Sequence, residues 1–196
     1  MKKSVLLFIL PLLTLVGCKD NNSNPQIPIK EYVTYTVDFS KDEIKTTDSS
    51  SGNFASVMKD NLNLNNEIVS SVAGQGFFQI NVNCKDHDNN PFKSLIMSSK
   101  SQDGIFTLNF VKKIHSLTIH ASPYASWIEY TKEWSVDSES TLDVNEETWD
   151  ITPFDTSLTE VPTYQKEFTI ENTSAVIKGT MYKRVIVRQI DFTFEK

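Results

Sequence analysis

The sequence predicts an all-β protein, specifically a two-sheet antiparallel β-sandwich of the jelly-roll type. Apolar and polar residues alternate over many short segments, as on strands with one face toward a core and one toward water. Turn-forming residues recur between these segments, which favours packed sheets over a fold of alternating strands and helices. The central stretch, 105–121, reads IFTLNFVKKIHSLTIHA. We interpret it as two strands joined by a tight reversal at 111–113.

The chain begins with the pattern of a secretory signal. Lys2 and Lys3 precede an apolar run over 5–16, which is shorter than the about 20 residues that cross a bilayer. The run ends in LVGC, which resembles the lipobox of bacterial lipoproteins. In that family a signal peptidase cleaves before the cysteine, whose thiol carries a diacylglyceryl group. The resemblance therefore implies lipidation of Cys18. The alternatives are a plain secretory signal with an incidental cysteine, or a short N-terminal anchor.

These features divide the chain into a signal peptide at 1–17, a lipidated Cys18 with a flexible tether to residue 30, and a β domain at 31–196. The tether is polar and contains Pro25 and Pro28, although an ordered edge near 27–29 is an alternative. Two acyl chains anchor a protein stably, whereas one binds reversibly. We therefore expect an extracytoplasmic protein that is lipid-anchored to a bacterial membrane.

The net charge limits the partners that the protein can bind, and the number of cysteines limits its internal disulfides. Removal of 1–17 takes away Lys2 and Lys3 and no acids, so the formal charge of −6 becomes −8. Binding to nucleic acid needs clustered basic residues, so we expect no nucleic-acid partner. With Cys18 acylated, Cys84 has no partner for an internal disulfide, and we expect it to be a buried apolar residue.

The predicted elements follow the alternation in chain order. A loop at 41–52 and one short helix at 54–61 follow the first strand. In the last strand, Val185 and Val187 differ in parity from Ile190, Phe192 and Phe194, so we predict a β-bulge near residues 188–189. Besides the two arms of the 105–121 hairpin, the predicted strands are 32–39, 67–73, 77–84, 93–98, 140–145, 149–151, 165–170, 175–179 and 185–194.

Several strand-like segments carry a second resemblance. GIFTLNF, IHSLTIHASPY, TLDVNEETWDI, AVIKGT and KRVIVRQIDFTFE resemble β-sandwich modules of bacterial surface proteins. The nearest type is the galactose-binding-like jelly roll of many carbohydrate-binding modules, and the resemblance covers roughly 32–196. It implies jelly-roll topology, and because no sugar-binding motif matches, it transfers no ligand residue.

The polar segment 84–90 is the candidate metal site. Asp86, Asp88 and Asn90 are spaced like the first ligands of a calcium loop, but Pro91 and Met97 stand at positions six and twelve, so it is not an EF-hand. A structural Ca²⁺ site remains an alternative, and an Asx-rich turn is the interpretation we favour. We expect no cofactor.

Aromatic residues cluster between 124 and 149 and are the candidate ligand-binding residues. Rings of this kind stack on the apolar faces of sugars or on protein partners, and the alternative is that they pack in the core or beneath loops. Tyr124 belongs to the same cluster. The candidates are Trp127, Tyr130, Trp134 and Trp149.

The catalytic templates fit poorly. The sequence has neither G-x-S-x-G nor H-E-x-x-H, and His115 and His120 fall on opposite faces of one strand by parity. We therefore expect a non-catalytic surface module, most plausibly for neutral glycans. The alternative is a structural or adhesive lipoprotein that contacts another surface protein, and a hydrolase is the third option.

Overall fold

A computed structural model describes residues 30–42, 44–46 and 69–196. The predicted signal peptide, Cys18, nearly all of the tether and the predicted helix at 54–61 lie outside the described residues. No helix in the described part of the chain could cross a membrane.

Strands are the regular elements of the described ranges, which confirms the all-β class. Most lie where the alternation predicts them, and a small hairpin lies at 125–136, where no strand is predicted. The strands are β1 (Tyr32–Asp38), β2 (Val69–Gly76), β3 (Phe78–Lys85), β4 (Pro91–Met97), β5 (Gly104–Pro123), β6 (Ala125–Ile128), β7 (Glu133–Val136), β8 (Ser140–Val144), β9 (Glu147–Ile151), β10 (Tyr164–Gly179) and β11 (Val185–Glu195).

Nine of these strands form one curled antiparallel sheet. Seven of the nine follow one another in the order β3-β4-β11-β5-β10-β8-β9. The other two lie off this order, where β1 pairs with the C-terminal part of β11 and β2 pairs with the N-terminal part of β5. Strands β6 and β7 form a separate two-stranded sheet. The antiparallel prediction is confirmed, and the connection pattern of a jelly roll stays a prediction.

The predicted reversal inside 105–121 is wrong, because β5 is one strand of 20 residues. Phe106, Leu108 and Phe110 are buried at even positions, and Leu117 and Ile119 are buried at odd positions. This change of parity coincides with register shifts in the neighbouring β10 between Thr169 and Ser174. A bulge thus keeps the core face continuous. The same bulge joins the predicted strands 165–170 and 175–179 into β10.

The curled sheet encloses one main apolar core. Phe110 on β5 packs against Phe192 and Phe194 on β11, with ring centroids 5.9 and 5.8 Å apart. Phe78 on β3 meets Phe106 on β5 at 6.4 Å. Each large apolar side chain that is fully buried stabilises the fold by about 1.5–3 kcal/mol, so these contacts contribute to the stability of the core.

The predicted bulge in the last strand is confirmed. The register of β11 against β5 shifts between Val187 and Gln189. As a result, apolar residues on both sides of the shift face the core. These are Val185, Val187, Ile190, Phe192 and Phe194, each at most 1% exposed.

A smaller apolar cluster lies on the opposite face of β3, β4 and β11. Cys84, Ile96 and Ile186 are buried there, and Tyr124 packs against them. The β6–β7 hairpin is fixed nearby, since the Lys85 amide donates a hydrogen bond to Ser126 Oγ at 3.1 Å. Cys84 is the buried free thiol that the sequence predicts.

Candidate functional site

Two tryptophans face each other across the β6–β7 hairpin. Trp127 and Trp134 are direct cross-strand partners, and their ring centroids lie 5.4 Å apart at an interplanar angle of 72°. Both side chains are half-buried. Edge-to-face pairs of this kind stabilise a short hairpin and leave part of each ring toward solvent.

Two further rings extend this pair. The imidazole of His87, from the turn between β3 and β4, lies 4.3 Å from the Trp127 ring. On the other side, Phe154 meets Trp134 edge-on at 4.8 Å and is 7% exposed. The four rings form a row with its buried end at Phe154 and its exposed end at His87. We call this set the aromatic row.

The indole N–H groups fix the two tryptophans in different ways. Trp127 Nε1 donates to Glu129 Oε2 at 3.1 Å within its own hairpin, and Glu129 also forms an ion pair with Lys132. Trp134 Nε1 donates to the backbone carbonyl of Leu158 at 3.2 Å. Trp134 therefore joins the hairpin to the loop 152–163, whereas Trp127 is oriented by its own turn.

An open cleft of about 440 Å³ lies beside the aromatic row. Trp127, Trp134 and His87 supply ring surface, and the loop supplies three hydroxyl side chains. A cleft that combines apolar walls with a few convergent polar groups is the usual form of a small-molecule site. The remaining lining consists of Lys132, Glu133, Thr156, Ser157, Leu158 and Thr159.

The other aromatic candidates lie outside this cleft. Tyr130 sits in the turn of the hairpin and is 87% exposed. Trp149 on β9 is half-buried, and its ring lies 6.2 Å from Phe168 at the edge of the main core. Tyr124 packs beneath Arg184. The structure thus brings Trp127 and Trp134 together and separates Trp149 from them.

The segment 86–90 forms a turn whose polar atoms are engaged with one another. The Asp86 carboxylate accepts hydrogen bonds from the Asn90 amide at 2.8 Å and from Asn90 Nδ2 at 3.2 Å. These bonds between Asp86 and Asn90 fit the interpretation of the segment as an Asx-rich turn. In the ranges that the structure describes, no three His, Cys, Asp or Glu side chains are grouped as metal ligands.

The histidines of β5 have carboxylate partners. His115 Nδ1 contacts Glu171, and its ring stacks at 4.5 Å on Tyr32. Hydrogen bonds from Lys113 and His115 hold the pKa of the Glu171 carboxyl below its usual value. His120 Nε2 lies 3.0 Å from Asp191 Oδ2. Both imidazoles are thus partnered and half-buried.

The comparisons with known proteins assign this chain to no family. No family model matches the chain, and no curated protein matches it. Among solved structures, the catalytic unit of a thermostable GH87 α-1,3-glucanase from Streptomyces thermodiastaticus strain HF3-3 is similar at 12% identity and a TM-score of 0.33, over 82% of this chain and 25% of that one. An isomalto-dextranase from Arthrobacter globiformis T6, complexed with panose, is similar at 15% identity and a TM-score of 0.37, over 83% and 32%. The chain thus spans about a quarter to a third of those proteins.

Proposed function

We propose that this protein is a non-catalytic module that binds neutral glycans and is held at a bacterial membrane by a lipid on Cys18. The observation that carries the glycan proposal is the cleft beside the aromatic row. It brings the Trp127 and His87 rings and the hydroxyl-bearing loop to one cleft.

The chemistry of the cleft fits a sugar. A pyranose ring presents apolar C–H groups on its faces and hydroxyl groups around its rim. Indole and imidazole rings can pack against the faces, and the hydroxyls of Thr156, Ser157 and Thr159 can exchange hydrogen bonds with the rim. Aromatic surface and hydroxyl groups that line one cleft are therefore complementary to such a ligand.

Charge favours a neutral ligand. The chain has a formal charge of −6, and removal of the predicted signal peptide makes it −8. A protein of this charge repels anions over distances set by the ionic strength. Within the cleft, the Lys132 ammonium is already paired with Glu129, which weakens its attraction for an acidic sugar.

The number of carboxylates in the cleft favours binding over hydrolysis. Among the described residues that line the cleft, Glu133 alone has a carboxylate. The usual glycosidase mechanisms use two carboxyl groups, on opposite sides of the bond to be cleaved. We therefore propose a binding role and expect no turnover of the glycan.

The glycan proposal is tested by affinity gel electrophoresis in a panel of neutral polysaccharides that includes dextran, starch, xylan and a mixed-linkage β-glucan. We expect the domain 31–196 to be retarded by at least one of them, and Trp127→Ala to abolish the retardation. Tyr32→Ala is the control, because it removes an exposed ring that is 41% accessible and lies outside the cleft lining. Absence of retardation in every gel, or collapse of the fold in Trp127→Ala and Trp134→Ala alike, would leave the protein-partner alternative in first place.

The anchoring proposal is tested on the full chain in a bacterial host. Wild-type protein should partition into the detergent phase, and mass spectrometry should find acyl chains on Cys18. Cys18→Ser should accumulate as an unlipidated precursor, since a hydroxyl does not replace the thiol in thioether formation. Unmodified Cys18 in a wild-type protein that partitions like the variant would refute the lipid anchor.

A further inference from the structure

A second hollow lies on the outer face of β3, and it is lined by amide side chains. Gln79, Asn81 and Asn83 alternate with Phe78 and Ile80, which face the main core. Asn81 is 6% exposed, and its Oδ1 accepts a hydrogen bond from the Asn83 amide at 3.1 Å. The alternation therefore places a row of three amides along one side of this hollow, whose volume is about 170 Å³.

Aromatic and apolar side chains form the other walls. Phe77, Ile96 and Tyr124 line the hollow together with Arg184. The Arg184 guanidinium lies 3.4 Å from the centroid of the Tyr124 ring, so the ring and the guanidinium stack and hold each other in place. The hollow thus combines ring surface with amides, as the first cleft combines ring surface with hydroxyls.

The charge of the hollow is neutralised from within the protein. Arg184 is the charged group in its described lining, and the Asp137 carboxylate engages it with bonds of 2.9 and 2.7 Å. Primary amides carry no charge, and each can donate and accept hydrogen bonds at once. The chemistry therefore suits a neutral ligand rich in hydroxyl groups better than an anion.

The hollow and the first cleft border the same hairpin. Tyr124 immediately precedes β6, and Trp127 lies within β6. Three residues of extended strand correspond to about 10 Å. Ser126 fixes the strand between them to β3 through its bond with the Lys85 amide. Because side chains alternate along a strand, Tyr124 and Trp127 point to opposite sides of it, so a polymer that contacts both rings passes around the hairpin and places different sugar units in the two openings.

We propose that the hollow of Gln79, Asn83 and Tyr124 is a second contact site for the same neutral glycan, so that the protein binds an extended chain of sugar units. This inference rests on the proposed function, because it assumes that the cleft at Trp127 binds a glycan. Simultaneous contact at two linked sites raises the affinity for a long ligand and leaves that for a short ligand unchanged.

The inference is tested by calorimetric titration of the domain 31–196 with disaccharides and hexasaccharides of the isomalto-, malto-, cello- and xylo- series. For the series that binds, the hexasaccharide should bind about tenfold more tightly than the disaccharide or better. The double variant Gln79→Ala, Asn83→Ala should lose this gain and keep the disaccharide affinity. Gln165→Ala, an exposed amide on β10 outside both openings, is the matched control. Thermal unfolding verifies that the double variant is folded.

The outcomes separate the two proposals. If a disaccharide binds, and the hexasaccharide binds no more tightly or the double variant retains the gain, the second site is refuted and the proposed function stands. If no member of any series and no polysaccharide in the gel panel binds, the proposed function fails, and the second site fails with it.

Discussion

Asp137 and Arg184 form an ion pair that joins the small sheet to the large one. Asp137 follows β7 directly, and its carboxylate accepts hydrogen bonds from Arg184 Nε at 2.9 Å, Nη2 at 2.7 Å and the backbone amide at 3.0 Å. The side chains are only 4% and 14% exposed, respectively. Burial is the largest single effect and lowers the pKa of the Arg184 guanidinium, but the hydrogen bonds and charges of Asp137 and Tyr124 together outweigh it, and the pKa lies above its usual value.

Loss of Arg184 should therefore destabilise the protein strongly. Arg184→Ala leaves the Asp137 carboxylate buried without its cation, which typically costs about 3–5 kcal/mol. The matched control is the adjacent Lys183→Ala, because the Lys183–Glu139 pair has exposed side chains that water and salt screen, so its loss should have little effect on stability. Urea denaturation measures both free energies of unfolding. Equal losses for the two variants would show that the ion pair does not secure the hairpin.

The burial pattern of β5 predicts different effects for substitutions at two of its apolar residues. Leu117 is fully buried, whereas Val111 is 55% exposed. Leu117→Ala should lower the free energy of unfolding by about 2–5 kcal/mol. Val111→Ala should change it by less than about 0.5 kcal/mol, as at most surface sites. Chemical denaturation of both variants tests the assignment, and a small effect at Leu117 would contradict the buried face.

The two bulges show how far alternation alone can predict this fold. In β11 the parity change lies among apolar residues, and the sequence correctly indicates a bulge between Val187 and Gln189. In β5 the alternation is interrupted at Lys112 and Lys113, which resemble turn residues, but Ile114 is still buried at an even position, so the parity changes between Ile114 and Leu117. The pairing of β5 with β10 is irregular here, because residues 110–113 of β5 stand opposite Thr173 of β10. Because β10 is distant in sequence, the local pattern of β5 could not distinguish an irregular strand from a hairpin.

Sequence could predict only those parts of the candidate site whose residues are close together in the chain. Trp127 and Trp134 are close in sequence, so their spacing alone suggests a shared surface. His87 and the loop at 156–159 come from distant segments that only the sheet topology brings to the hairpin. Trp149 was predicted with them because it is aromatic and follows soon after. Its position on β9, opposite Leu142 of β8, instead places it against the main core.

Cys84 should make stability depend on pH in the alkaline range. Burial raises the pKa of its thiol to about 11 from an ordinary value of 9.0. Between these values the unfolded chain loses the proton and the folded chain keeps it, so stability falls as the pH rises. Over this range the free energy of unfolding should fall by about 2–3 kcal/mol in total, because a pKa difference of one corresponds to about 1.36 kcal/mol.

The variant Cys84→Ser is the control for this pH dependence, because a serine hydroxyl does not titrate in this range. Free energies of unfolding measured at several pH values between 8 and 11 should fall more steeply for the wild type than for the variant. Burial also raises the pKa of Tyr124, and the charge of Cys84 raises it further, so the difference between the two curves includes this coupling as well as the titration of the thiol. Parallel curves would contradict the raised pKa.

The different hydrogen bonds of the two indoles predict different roles for the two tryptophans. Trp134→Phe keeps a ring near Phe154 but removes the donor to the Leu158 carbonyl, which should cost about 0.5–1.5 kcal/mol. The loop 152–163 should then exchange its backbone amides faster. Glycan affinity should fall as well, because Thr156, Ser157 and Thr159 lose their fixed position across the cleft.

Trp127→Phe is the matched substitution for this comparison. It removes a donor to Glu129, which lies in the same hairpin, so exchange in the loop should remain unchanged while the ring surface offered to a sugar becomes smaller. Hydrogen exchange followed by mass spectrometry on both variants, together with their glycan affinities, separates the roles. Trp134 would then orient the loop, and Trp127 would provide the stacking surface. Faster loop exchange in both variants, or in neither, would show that the Trp134–Leu158 hydrogen bond does not hold this loop in place.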